Sequence, residues 1–255
     1  EKILERHGIS VTTVDLSEIL GRAKGIEESD TRLIDKIGEM KAYAPTGAVP
    51  APKLTQMARL GVVLDEFVAT NHLDATAIQC WTSLQQNHGC NVCTSMSMMS
   101  ENLLPSACEV DVTGVLTMFA MQLASGSPSA LVDWNNNYGD DPDKCVLFHC
   151  GNWARSFLPD IKVATAPILG STLGVENTWG ALEGRTPASP PAMPSACSWT
   201  GLRPCSPASR RRSTAPWAFC PATSAPPSPR ASAGPGRWPV GGGGPRRPVL
   251  PRCGG

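Results

Sequence analysis

Every Asp and Glu of this 255-residue chain lies at or before Glu183, and no Asp, Glu, Lys, His, Asn, Gln, Ile or Tyr follows Arg185. Up to Arg185, 13 basic side chains stand against 22 acidic ones, a net −9. The other nine basic residues, all Arg, put +9 on residues 186–255, which also hold 16 of the 24 prolines. Segments such as PASPPAMPSACSW and VGGGGPRRPVLPRCGG have neither helical nor alternating periodicity, and their composition cannot bury a core. Two sequences are joined here, and only residues 1–185 can form a packed α/β core. Residues 186–255 read as a disordered Pro/Arg/Gly/Ser-rich extension or as a GC-rich gene translated out of frame from near residues 184 to 192. The codons of Ala, Pro, Gly and Arg are GC-rich, and those of the missing Lys, Asn, Ile and Tyr are AT-rich. With no Lys, RGG repeat or basic helix, the tail arginines suggest no nucleic-acid partner.

No run approaches the ~20 apolar residues that a membrane span needs. The opening EKILERHGIS is charged and lacks the apolar centre of a signal peptide. It also lacks an initiator Met, so residue 1 is expected to be an internal point of a longer protein. Six of the ten cysteines (Cys80, Cys90, Cys93, Cys108, Cys145, Cys150) lie in the front part, mostly inside apolar runs. Without a secretory signal, reduced buried thiols and a cytoplasmic location are the expectation.

The front part alternates short β-rich runs with helical patterns, which predicts an open parallel sheet flanked by helices, a Rossmann-like arrangement. Ser10–Val14 reads as a strand, and Asp15 or Ser17 as the cap of a following helix. A second helix runs from the capping pair Ser29/Asp30 to Tyr43 with Leu33, Ile34 and Ile37 on one face. Lys53 to His72 is a long helix with Leu54, Met57, Leu60, Val63 and Leu64 on its apolar side. Four later strand candidates end in Trp81, Glu109, Asp133 and His149, and part of a final domain is expected to begin near 155–185. In an open parallel sheet the carboxyl ends of strands line the ligand crevice.

Glu109, Asp133 and His149 are 24 and 16 residues apart, about one strand-helix unit each time, so all three can converge at a sheet edge. Two carboxylates and an imidazole suit a divalent cation such as Mn2+. Carboxylates at strand ends also cap helices, and Asp111 is the expected cap before Val112. Trp81 can stack on a sugar face or merely pack, and Asn135 to Asn137 and Asn152 can bond sugar hydroxyls or simply form turns. Cys90-x-x-Cys93 has no second cysteine pair to complete a zinc site. His7, His72 and His88 read as surface histidines, and Met96, Met98 and Met99 as core filler.

The run AIQCWTSLQQNHGCNVCTSMSMMSENLLPSACEVDVTGVLTMFAMQLASG, followed by ALVDWN and VLFHCGN, resembles the L-fucose isomerase/L-arabinose isomerase superfamily, in particular its fucose-isomerase-like proteins. The resemblance is specific from about Ala75 to Gly180. It implies a ketol-isomerase that interconverts aldoses and ketoses, an Mn2+-type ion, a monosaccharide substrate and a homo-oligomer in the full-length form. ACEVDVTG matches the segment bearing the metal-binding Glu, which carries over to Glu109, and ALVDWN the one bearing the Asp, which carries over to Asp133. His149 in FHCGN resembles a further active-site histidine, on metal or on substrate. Aldose–ketose conversion removes a proton beside a carbonyl; a cation holding both oxygens stabilises the resulting enediolate, and a carboxylate relays the proton. Either Glu109 or Asp133 suits that relay. Family members are longer at both ends and carry a metal-binding His near the C-terminus, whereas residues 186–255 hold no His. The alternative is therefore a non-catalytic sugar-binding or structural α/β remnant.

Overall fold

A computed structural model describes residues 2–149 and 151–186, with the side chains of 134–138 and 141–147 outside the described set. The tail (187–255) and Cys150 also lie outside it. Eight α-helices among the described residues are α1 (Lys2–Glu5), α2 (Leu16–Lys24), α3 (Thr31–Tyr43), α4 (Ala51–Asn71), α5 (Ser83–Asn87), α6 (Cys93–Glu101), α7 (Val112–Ser125) and α8 (Pro167–Leu173). The strands are β1 (Thr76–Ile78), β2 (Ser106–Cys108), β3 (Asp133–Tyr138), β4 (Asp141–Phe148), β5 (Lys162–Ala164) and β6 (Ala181–Glu183).

The first three long helices start and pack for reasons visible in the chain. Asp15 and Asp30 cap α2 and α3 by accepting from the backbone amides of Ser17 and Arg32. Leu54, Met57, Leu60, Val63 and Leu64 of α4 are all buried, as the 3.6-residue period requires, and face α2, α3 and α6. On α3 the buried residues are Leu33, Lys36 and Met40, with Ile37 packed beside them, and Ile34 is exposed. The apolar face is thus set by Leu33, Ile37 and Met40, and Ile34, one position on from Leu33, is turned out of it. Lys36 enters that face because Asp65 of α4 and Glu39 pair with its ammonium.

The strands pair differently from the expected open parallel sheet. β1 and β2 form one parallel pair, Thr76 opposite Ser106 and Ile78 opposite Cys108, flanked by α6 and α7. β3 and β4 form an antiparallel hairpin, because Tyr138 pairs with Asp141 across the two residues Gly139 and Asp140 and Gly139 has the positive φ of 55° that such a turn needs. Of the two runs read as successive parallel strands, residues 130–132 form no strand and Asp133 opens β3 instead of ending one, while residues 145–148 lie in β4, which folds back on β3. β5 and β6 are also antiparallel. Ser10–Val14 is not a strand: among the described residues no strand pairs with it, and its residues are half-buried or exposed.

Most buried apolar residues from α2, α3, α4 and α6 share one core with Phe157, Leu158, Ile161, Val163 and Leu182. Ala107, Val115, Met118 and Leu131 form a smaller one between the parallel pair and α7. Residues 178–180 close the far side of α6, where Asn91 N–H donates to the Trp179 carbonyl (2.7 Å) and Thr94 Oγ1 to that of Gly180 (2.8 Å). Gly180, at φ 108°, is required there, since a Cβ would lie 2.5 Å from the Asn91 oxygen. Among the described residues no helix is long and apolar enough to cross a membrane.

Candidate functional site

The chain leaves β2 at Cys108 and must enter α7 at Val112 within three residues. It does so through two successive left-handed residues, Glu109 (φ 61°) and Val110 (φ 55°). Val110 N–H donates to Ile78 O (3.3 Å), Asp111 N–H to Cys108 O (3.0 Å), and Asp111 then caps α7 with Oδ1 on Gly114 N–H (2.7 Å). Asp111 is thus the helix cap that its position suggested. Glu109 is left exposed at the carboxyl end of the parallel pair. Trp81 leaves β1 on the same side, three residues past Ile78, and is 47 % exposed. A left-handed β-branched residue is rare and costs energy, and such conformations gather at functional sites.

A second segment is brought to the same edge. The ring of His149 lies against Cys108 Sγ, with Nε2 at 3.5 Å and Nδ1 at 3.7 Å, and Phe148, the residue before it, is paired with Asp133. One sulfur–imidazole contact therefore places His149 next to the residue that precedes Glu109, and backbone pairing sets Asp133 opposite the residue before His149. Asn152 is only 4 % exposed; its Nδ2 reaches Ser106 O of β2 at 3.4 Å, and its buried Oδ1 has no hydrogen-bond partner among the described residues. Trp153 Nε1 donates to Leu131 O (3.0 Å), holding the segment after His149 against the approach to Asp133. Asn135 falls where the β3–β4 register shifts between Trp134 and Asn136, and its side chain lies outside the described residues.

The donor types of Glu109, Asp133 and His149 fit a hard divalent cation. Among the described residues, however, no three His, Cys, Asp or Glu side chains are gathered closely enough to hold one. Cys108 was not singled out from the sequence; its one signal was its place before Glu109 in ACEVDVTG.

His88 corrects the reading of that residue as a surface histidine. It is 6 % exposed, and Nε2 donates to the Gln56 carbonyl at 2.8 Å. Burial, then the nearby charges of Lys24, Arg59 and Lys53, push its pKa below the usual histidine value. Cys90 and Cys93 are both buried, and burial pushes the Cys90 thiol up to about 12. That thiol is an inert packing group.

No protein-family model matches the chain. Among curated proteins it is similar to a sulfoquinovose isomerase of Alkalicoccus urumqiensis, 28 % identical over 149 residues that make up 58 % of this chain and 33 % of the relative. A protein of the same name from Clostridium sp. (strain MSTE9) is 27 % identical over 155 residues, 61 % of this chain and 34 % of the relative. One from Priestia aryabhattai is 28 % identical over 123 residues, 48 % and 26 % of the two chains. The chain thus spans about a quarter to a third of the length of the curated relatives it matches, and these relatives carry the name of a sugar isomerase.

Proposed function

We propose that this chain is part of a sugar aldose–ketose isomerase of the fucose/arabinose-isomerase kind, with the edge formed by Trp81, Glu109, Asp133, His149 and Asn152 as its contribution to the active site. The observation that carries the reading is the sequence similarity to proteins named sulfoquinovose isomerase. The left-handed Glu109 beside the Cys108–His149 contact supports it independently.

Glu109 and Asp133 would hold an Mn2+-type ion, which when bound supplies positive charge to the sugar's developing oxyanions. One of the two carboxylates takes the proton from the carbon beside the carbonyl and returns it to the neighbouring carbon. The unpartnered Asn152 Oδ1 accepts a hydrogen bond from a sugar hydroxyl, which recovers the cost of burying it. The exposed indole of Trp81 offers an apolar surface to the ring face. Asn135 is assigned to the same hydroxyl-binding role, and a homo-oligomer is part of the reading.

The test is solvent exchange at C2, followed by proton NMR in D2O with MnCl2, offering sulfoquinovose, L-fucose and L-arabinose in turn. Exchange is expected with one of them and should be abolished by Glu109→Gln, a loss of at least about 100-fold for a proton-transfer group. Unchanged exchange in that variant would overturn the site assignment. A second reading, a non-catalytic sugar-binding remnant, is favoured by the absence of a gathered three-residue donor set among the described residues. It predicts no exchange with any sugar.

A further inference from the structure

A polar cavity of about 320 Å3 opens between α2, α4, α5 and Asn177, and none of its lining residues belongs to the strand-end edge described above. Lys24, Lys53 and Arg59 line it together with Gln56, Gln85 and His88, and no Asp or Glu does. The nearest carboxylate to Arg59, on the exposed Glu28, is 3.9 Å away, at the edge of an ion pair. Lys53 Nζ donates to Gly89 O (2.9 Å) and to Asn177 Oδ1 (3.3 Å), which leaves one N–H of the ammonium for another acceptor.

Three of the lining residues carry buried side-chain polar atoms that have no hydrogen-bond partner among the described residues: Gln56 Oε1, Gln85 Oε1 and Arg59 Nε. Gln85 is the clearest. It is 1 % exposed, and its Nε2 faces two acceptors, Cys80 O at 2.9 Å and Asn91 Oδ1. Asn91 Oδ1 is an acceptor because Asn91 Nδ2 donates to Thr178 O (2.8 Å). The Gln85 amide therefore cannot be turned over, and its oxygen is an acceptor in need of a donor. Gly89, at φ 74°, keeps the floor clear: a Cβ there would lie 3.1 Å from Lys53 Nζ and 3.5 Å from Gln56 Oε1.

Three cations in a lining without Asp or Glu, one of them only loosely paired with Glu28 at 3.9 Å, call for an anion, and unpartnered amide oxygens call for hydroxyl donors. A volume near the lower end of the roughly 300–1,000 Å3 typical of small-molecule pockets suits a single sugar rather than a nucleotide. We propose that this cavity binds a monosaccharide bearing a phosphate or sulfonate, with Lys24, Lys53 and Arg59 on the oxyanion and Gln56 and Gln85 on hydroxyls. The site stands on the cavity alone and does not depend on the isomerase reading.

Isothermal titration calorimetry on the 255-residue chain tests it, with glucose 6-phosphate, sulfoquinovose, glucose and inorganic phosphate as probes. At least one charged sugar is expected to bind about tenfold or more tightly than glucose and inorganic phosphate. Whether glucose 6-phosphate or sulfoquinovose is preferred identifies the oxyanion. Arg59→Met and the exposed Lys24→Met should each weaken that binding about tenfold. Lys24→Met should leave the thermal midpoint unchanged, which separates lost binding from lost folding. The binding is expected without added Mn2+ and without any isomerisation of the probe, so failure of the isomerase reading leaves this result standing. The proposal is overturned if neither charged sugar binds, if inorganic phosphate binds as well as the charged sugars, or if affinity is unchanged in both cation variants.

Discussion

Val110 holds a β-branched side chain at φ 55° directly after Glu109 at φ 61°, and it is half exposed, so little packing compensates the conformation. What the strain achieves is position: the chain turns from β2 into α7 while Glu109 remains at the carboxyl end of the parallel pair. Val110→Gly relieves the conformational cost at the expense of some unfolded-state entropy. Its net effect is expected to be a stabilisation of about 1 kcal/mol in urea denaturation. A destabilised variant would mean that the Val110 side chain packs more than its exposure indicates. The acidic residue and its place after a short strand were legible in ACEVDVTG, but the left-handed turn was not. Backbone conformation of that kind normally announces itself by Gly or Asn, and neither is present here.

At the scale of elements, the caps are the most local and most readable part of the fold. Asp15, Asp30 and Asp111 each precede an apolar-periodic run, and each accepts a backbone hydrogen bond in the first turn of its helix. Asp111→Ala should destabilise the chain by about 1 kcal/mol in thermal or urea unfolding followed by circular dichroism. Gly114 belongs to the same cap, since a Cβ there would lie 2.3 Å from Asp111 Oδ2. Gly114→Ala is accordingly expected to displace the capping carboxylate, and the double variant to fall well short of the sum of the two single effects. Strands were less readable than helices for a physical reason. A three-residue strand such as Thr76–Ile78 carries almost no periodicity, and whether a partner lies parallel or antiparallel is decided by where the rest of the chain goes. The hairpin of β3 and β4 had its signal in the Tyr138-Gly139-Asp140-Asp141 turn, which four parallel strand ends could not accommodate.

At the scale of the whole molecule, His88 links α4 and α5 through its bond to the Gln56 carbonyl and makes stability depend on pH. Its folded pKa lies below the unfolded value of 6.5, so beneath that pH the unfolded chain binds the extra proton more readily. The stability that neutral His88 contributes is complete above pH 6.5 and is lost progressively as pH falls from there through the folded pKa. A urea midpoint that holds between pH 8 and 7 and declines towards pH 5 is expected, with a shallower decline in His88→Gln. An identical decline in that variant would assign the effect to other groups. Asp15 and Asp30, whose carboxyls are held below 3.8 by hydrogen bonds from Ser17 and Arg32, lose their contribution only at lower pH, outside this window. The sequence by itself determined the helices α2, α3, α4 and α7, the caps Asp15, Asp30 and Asp111, the compositional break near Arg185 and Glu109 just after a short strand, because each depends on spacing or chemistry within a few residues. Only the tertiary structure decided which strands pair, that His149 meets Cys108, and that Gln56, Gln85, His88 and three cations from α2 and α4 enclose one cavity. Those contacts join residues tens of positions apart, and burial of a polar side chain is a property of its neighbours in space rather than of its own type.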